Sequence, residues 1–129
     1  MSLTARDLSA DELKKYRPLE AIRRRRAKMG AEISKRRRRA NAAARKAAKL
    51  LKSEFGAREV MLFGSLARRS SFTLYSDIDL ASRGIPPERF FAAVGAVTGI
   101  SVEFKIDLVE IETCSPTMLK SIKKDGKPL

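Results

Sequence analysis

One stretch of the chain, residues 62–81 (LFGSLARRSSFTLYSDIDLA), carries side chains whose types and spacing could do chemistry. An apolar run, 60–63, ends in Gly64-Ser65, a basic segment follows, and Asp77 and Asp79 then stand with one residue between them. A strand that ends in glycine and opens a helix exposes backbone N–H groups to an anion. Gly64 lets the backbone approach a phosphate, the Ser65 hydroxyl adds a donor, and Arg68 or Arg69 can neutralise a polyphosphate tail. Asp77 and Asp79, two apart on a strand, project from one face while Ile78 and Leu80 turn to the core. Alternation over 102–109 puts Val102, Phe104, Ile106 and Leu108 on the core face and Asp107 on the carboxylate side. Three close carboxylates repel unless cations neutralise them. Two magnesium ions with a nucleoside triphosphate would do so, and such a metal pair stabilises the attacking and leaving oxygens of phosphoryl displacement. Singly, each part has a plainer reading as a turn or a solvated strand face. Their conjunction carries the argument.

The elements that must position these groups follow from periodicity and punctuation. Ser9-Ala10-Asp11-Glu12 has capping-box spacing and predicts a short helix, which Pro18 interrupts or restarts. Apolar or small residues at 19, 22, 29, 33, 40, 43, 47, 50 and 51 recur at helical spacing and predict a long helix over 19–55, bent at Gly30 and stopped by Gly56. At 1.5 Å per residue that helix spans roughly 55 Å, longer than a domain of this size is wide. Its arginine runs, 23–26 and 36–39, cover every side, so at least one arginine in each lies on or beside the apolar stripe. Its small end, 40–48, can dock on a sheet. Strands are predicted at 59–63, 76–81 and 102–109, with a turn of helix at 65–69. Longer helices are predicted from Pro86 or Pro87 to about 97, and from Ser115-Pro116 to Gly126. The fold class is therefore α/β (α+β): a small mixed sheet flanked by helices, with a long basic N-terminal helix. Met29, Met61 and Met118 are expected to pack, Phe72 and Tyr75 to anchor a loop, and Cys114 to be an inert small residue.

The net charge of +13 is unevenly placed. Residues 1–56 hold 18 Lys+Arg against 6 Asp+Glu, and 57–129 hold 10 against 9. The division predicted is a basic helical extension, 1–56, and a nearly neutral domain, 57–129, that carries the site. A basic arm points to an acidic partner, nucleic acid or protein. A solvated or dimer-forming helix with snorkelling arginines is the plainer alternative. Without histidine and with a single cysteine, a zinc site is excluded in favour of carboxylate-held magnesium or manganese. The lone Cys114 fits a reducing cytoplasm, and no run of residues has the length and apolarity of a membrane span.

Phe-Gly-Ser-Leu-Ala-Arg, Ser-Asp-Ile-Asp-Leu and Ile-Asp-Leu-Val resemble the motifs of the DNA polymerase beta nucleotidyltransferase superfamily, and above all its minimal nucleotidyltransferase (MNT-type) members. The resemblance covers about residues 57–110. It implies the nucleotidyltransferase fold, with Gly64 and Ser65 holding the triphosphate of ATP and Asp77 and Asp79 binding magnesium. It further implies that Asp107 completes the metal site and helps activate an acceptor hydroxyl. Family members are often antitoxins beside a helical HEPN toxin, and some transfer AMP to that toxin. The chain departs from the pattern at Arg69, where glycine is common, and in a spacer before Asp77 one residue longer than in many members. The Arg-rich helix lies outside the family core. The reading is a magnesium-dependent nucleotidyltransferase acting on a HEPN-type partner. A non-catalytic antitoxin of the same fold and an RNA-binding nucleotidyltransferase are the alternatives. The stripe through Ala40, Ala43 and Ala47 predicts helix packing in a homodimer or hetero-oligomer.

Overall fold

The computed structural model describes residues 3–68 and 71–129, with side chains from residue 18 onward. The elements in order are α1 (Leu3–Phe55), β1 (Glu59–Phe63), α2 (Gly64–Ala67), β2 (Ile78–Arg83), α3 (Pro87–Thr98), β3 (Ile106–Glu110), α4 (Pro116–Asp125) and β4 (Lys127–Pro128). The chain divides into two compact units, one ending at Ser34 and one running from Lys35 to Leu129.

In the first unit the backbone is helical from Leu3 and passes Pro18 without a break, so neither a helix start at Ser9 nor an interruption at Pro18 is found. Proline removes one backbone bond, and the flanking Ala, Leu, Glu, Lys and Arg residues are strong enough helix formers to carry the chain across. Residues 18–32 are exposed, Leu19, Ile22 and Met29 among them, so Met29 is not the packing residue expected.

The second unit is built on a mixed four-stranded sheet in the order β3-β2-β1-β4. β1 runs antiparallel to β2 and to β4, and β2 runs parallel to β3. One sheet face carries Phe63 and Ala81 and packs with Ile111 and Ile122, joined by Met61, Cys114 and Met118. Alternation turns Val60, Leu62, Ile78, Leu80, Ile106 and Leu108 to the other face, all buried, against α1 and α3. Ala40, Ala44 and Ala47 of α1 are 0% exposed and Leu51 is sealed with them. Ala40 and Ala47 are thus taken up within this unit and lend no support to helix packing between copies. Small side chains let helix and sheet approach closely, which is why this stripe is taken up internally. Among the described residues no helix is long and apolar enough to cross a membrane.

The strand edges differ from expectation for local reasons. β2 begins at Ile78, two residues late, because Thr73 and Ser76 close a turn: the Thr73 N–H donates to Ser76 Oγ (2.9 Å) and the Ser76 N–H to the Thr73 carbonyl (3.3 Å). β3 begins at Ile106. Ser101 Oγ accepts from the N–H groups of Glu103 and Phe104, both at 3.1 Å, and this turn leaves Val102 fully exposed rather than in a strand. β4 has no counterpart in the sequence reading. It is two residues long and ends in proline, a residue that sheets tolerate at an edge.

Helix α4 starts as its sequence predicts, with Ser115 Oγ accepting from the Met118 N–H at 3.1 Å and Pro116 behind it. Ser115→Ala should lower stability by about 1 kcal/mol and Ser115→Asp should restore it. Urea denaturation checks both, and an unchanged midpoint for the alanine variant would count against the cap.

Candidate functional site

The register of the sheet assembles the site. Across β1 and β2 Phe63 pairs with Asp79, and across β2 and β3 Asp79 pairs with Asp107. The turn that follows Phe63, Gly64-Ser65, therefore abuts the paired carboxylates. Gly64 sits at φ +73° and a methyl group placed on it would run into the Asp79 carboxylate. Only glycine meets both conditions, a left-handed backbone and no side-chain volume. α2 is a single turn, and its N-cap Phe63 supplies no side-chain hydrogen bond. The N–H groups at its start consequently have no helical partner.

Asp77 lies just before β2, half-buried like Asp79 and Asp107. Its charge and that of Asp107 both act on Asp79. Burial, then Asp107, then Asp77 push the Asp79 carboxyl above its ordinary 3.8, with Arg68 and Lys105 pulling the other way. Beside this group a cleft of about 690 Å³ opens, lined by Asp79, Asp107, Lys105, Phe63 and Met118 among others. That volume suits a nucleotide-sized ligand. The donor set, carboxylate oxygens under mutual repulsion, fits a hard divalent cation. Among the described residues no three Asp, Glu, His or Cys side chains converge closely enough to enclose an ion.

Arg68 reaches the Asp125 carboxylate of α4 at 3.4 Å while lying near enough to Asp79 to counter its charge. Arg69 is outside the described residues. Two contributors were not singled out from sequence. Lys105 lines the cleft and pairs with Asp107 at 3.7 Å. The alternation that placed Asp107 placed Lys105 on the same side, so the signal was present. Arg36 has no such signal. Its guanidinium lies 4.4 Å above the Phe104 ring and donates to the Ser76 carbonyl at 3.3 Å. Helix α1 thereby holds the residue before Asp77 and the segment leading into β3. Arg37 lies over the buried Phe72 at 5.8 Å, and Arg39 donates to both Glu103 oxygens, at 2.8 and 3.1 Å, holding that carboxyl below its ordinary value. Tyr75, by contrast, has an exposed side chain, so of the two loop aromatics only Phe72 is buried.

Two predictions test this geometry. Gly64→Ala should destabilise the chain by about 2 kcal/mol or more, since a left-handed alanine alone costs about 1–2; an unchanged melting temperature would refute the close approach to Asp79. The raised Asp79 value means that the folded chain keeps this proton where the unfolded chain has lost it. Its stabilising effect is thus full below pH 3.8 and declines as the pH rises through the folded-state value. Asp79→Asn should therefore melt above the parent at neutral pH without divalent ions, with the gap closing in acid. A variant less stable than the parent at neutral pH would overturn the assignment.

The family model for polymerase beta nucleotidyltransferases matches residues 45–129. No curated protein matches the sequence. Solved structures share the fold. A mutant of the toxin–antitoxin pair MntA–HpeT superposes with a TM-score of 0.55 at 24% identity, over 66% of this chain and 69% of that one. A toxin–antitoxin structure with AMP-PNP gives 0.54 at 21% identity, over 66% and 70%. The tri-AMPylated Shewanella oneidensis HEPN toxin in complex with MNT antitoxin gives 0.52 at 22% identity, over 69% and 70%. The matched span begins within α1 and takes in Gly64-Ser65, both β2 and β3, and all three aspartates, so the chain belongs to the polymerase beta nucleotidyltransferase family.

Proposed function

We propose that the protein transfers a nucleoside monophosphate, AMP from ATP first, to a hydroxyl group of a partner protein, and that the partner is a HEPN-type toxin for which it serves as antitoxin. The observation that carries this reading is the in-register pairing of Asp79 with Asp107 beside the Gly64 turn, in a chain of nucleotidyltransferase family. The toxin partner is supported by the solved neighbours, which come from toxin–antitoxin pairs and include a tri-AMPylated HEPN toxin. The lone half-buried Cys114 is compatible with a reducing cytoplasm.

In this mechanism Gly64 and Ser65 hold the triphosphate through backbone N–H groups and the serine hydroxyl. Arg68 and Lys105 balance its negative charge. Asp77, Asp79 and Asp107 would hold two magnesium ions, or manganese, which when bound supply Lewis-acid stabilisation of the phosphoryl oxygens. Asp107 accepts the proton of the acceptor hydroxyl. The hydroxyl oxygen bonds to the α-phosphorus, the bond from that phosphorus to the bridging oxygen breaks, and pyrophosphate leaves with the electron pair. Arg36 acts on none of the reacting atoms; it keeps the Asp77 and Asp107 segments in place.

Incubating the full chain with α-labelled ATP, magnesium and the helical protein encoded beside it should label that partner. Asp77→Asn and Asp79→Asn should each reduce labelling by at least about 100-fold. Labelling that survives both substitutions, or that fails for the parent chain, would overturn transfer. A toxin still neutralised by the doubly substituted chain would show that the fold acts by contact alone.

A further inference from the structure

We infer that the C-terminal half of α1 forms, with the segment after α4, a track for the phosphodiester backbone of nucleic acid, separate from the carboxylate cleft. Two grooves lie between one face of α1 and the residues Lys127 to Leu129. The first, of about 350 Å³, is lined by Arg37, Arg38, Asn41 and Lys127. The second, of about 520 Å³, is lined by Arg45, Lys49, Lys52 and Leu129. Arg38, Arg45, Lys49 and Lys52 are all exposed. At 3.6 residues per turn they fall within about 60° of arc and span about 21 Å along the helix. Among the described residues no acidic side chain lines either groove. The ion pairs among the described residues engage Arg39, Arg68, Arg83 and Lys105, leaving Arg38, Arg45 and Lys49 to solvent. Lys52 is tied by its ammonium to the Leu129 main-chain oxygen, which pins the C-terminal segment as the second wall.

Single-file cations on one helical face match a linear polyanion better than an acidic protein surface, whose charges have no fixed repeat. Over about 21 Å one nucleic-acid strand presents about six phosphates. Among the described residues neither groove has an aromatic lining for bases to stack on, so contact is with the backbone. Binding should accordingly be independent of sequence and steep in salt. The run Arg23–Arg26 differs: consecutive arginines point in four directions, and no more than part of it can follow one strand.

The test uses the full chain and 5′-fluorescein single-stranded RNA and DNA of mixed sequence, read by fluorescence anisotropy from about 50 to 200 mM salt. Arg38→Gln, Arg45→Gln and Lys49→Gln together should weaken binding by about tenfold or more. They should also flatten the slope of log affinity against log salt by about 2, at about 0.7 per lost contact. Arg24→Gln, Arg25→Gln and Arg26→Gln, an equal loss of charge, should have a smaller effect on both. Circular dichroism melting checks that each variant is folded, and the charge-preserving set Arg38→Lys, Arg45→Lys and Lys49→Arg should bind as the parent does. Equal losses for the two glutamine sets would overturn the track and leave only net charge. Displacement of the RNA by polyglutamate at equal charge concentration would overturn it in favour of an acidic protein. Nucleotidyl transfer to the partner does not enter either readout, so this inference stands or falls separately from the proposed activity.

Discussion

Parallel pairing of β2 with β3 forces Asp79 and Asp107 to lie side by side, at a cost in electrostatic energy that the rest of the unit must absorb. The backbone ladder fixes the register, and the side chains between the aspartates hold it. Ile78, Leu80, Ile106 and Leu108 are all buried on the opposite face, so slipping either strand by one residue would expose them. The same register that seals the core aligns the carboxylates. Gly64 completes the arrangement because β1, paired on the other side of β2, ends next to Asp79. Repulsion at the centre of a sheet is a recurring mark of sites that bind a cation or a proton.

Helix α1 divides its charge between structure and surface. Four consecutive arginines, 36–39, cannot share one environment. Arg36 and Arg37 turn inward onto Phe104 and Phe72, Arg39 pairs with Glu103, and Arg38 stays outside. The inward pair closes over the two segments that enter β2 and β3. A guanidinium over an aromatic ring contributes about 0.5–2 kcal/mol, more when water is excluded. Such contacts make the helix a brace for the aspartate-bearing strands, on the side where Ala40, Ala44 and Ala47 are fully buried.

Much of the placement of the candidate site could be read from residue types and spacing. Strict alternation placed Asp107 with Asp79 because a strand with one buried face has only one workable register. The Ser115-Pro116 helix start and the 59–63 strand rest on interactions between near neighbours, so local rules described them. Less legible were the ends of β2 and β3. There, serine side chains at 76 and 101 capture backbone N–H groups and compete with the ladder, and periodicity carries no trace of that competition.

By itself, then, the sequence determined the alternating pattern of the strands, the glycine that admits a tight turn beside Asp79, and the excess of positive charge in the first 56 residues. Tertiary structure alone decided what that charge is used for. The direction of each arginine depends on which aromatic ring, carboxylate or main-chain carbonyl the fold brings within reach; the Ser76 carbonyl lies 40 residues from Arg36 and the Glu103 carboxylate 64 from Arg39. It also decided that Arg68 meets Asp125 and that a two-residue strand closes the sheet edge. Contacts between distant residues are set by packing of whole elements, and packing is not encoded at any single position.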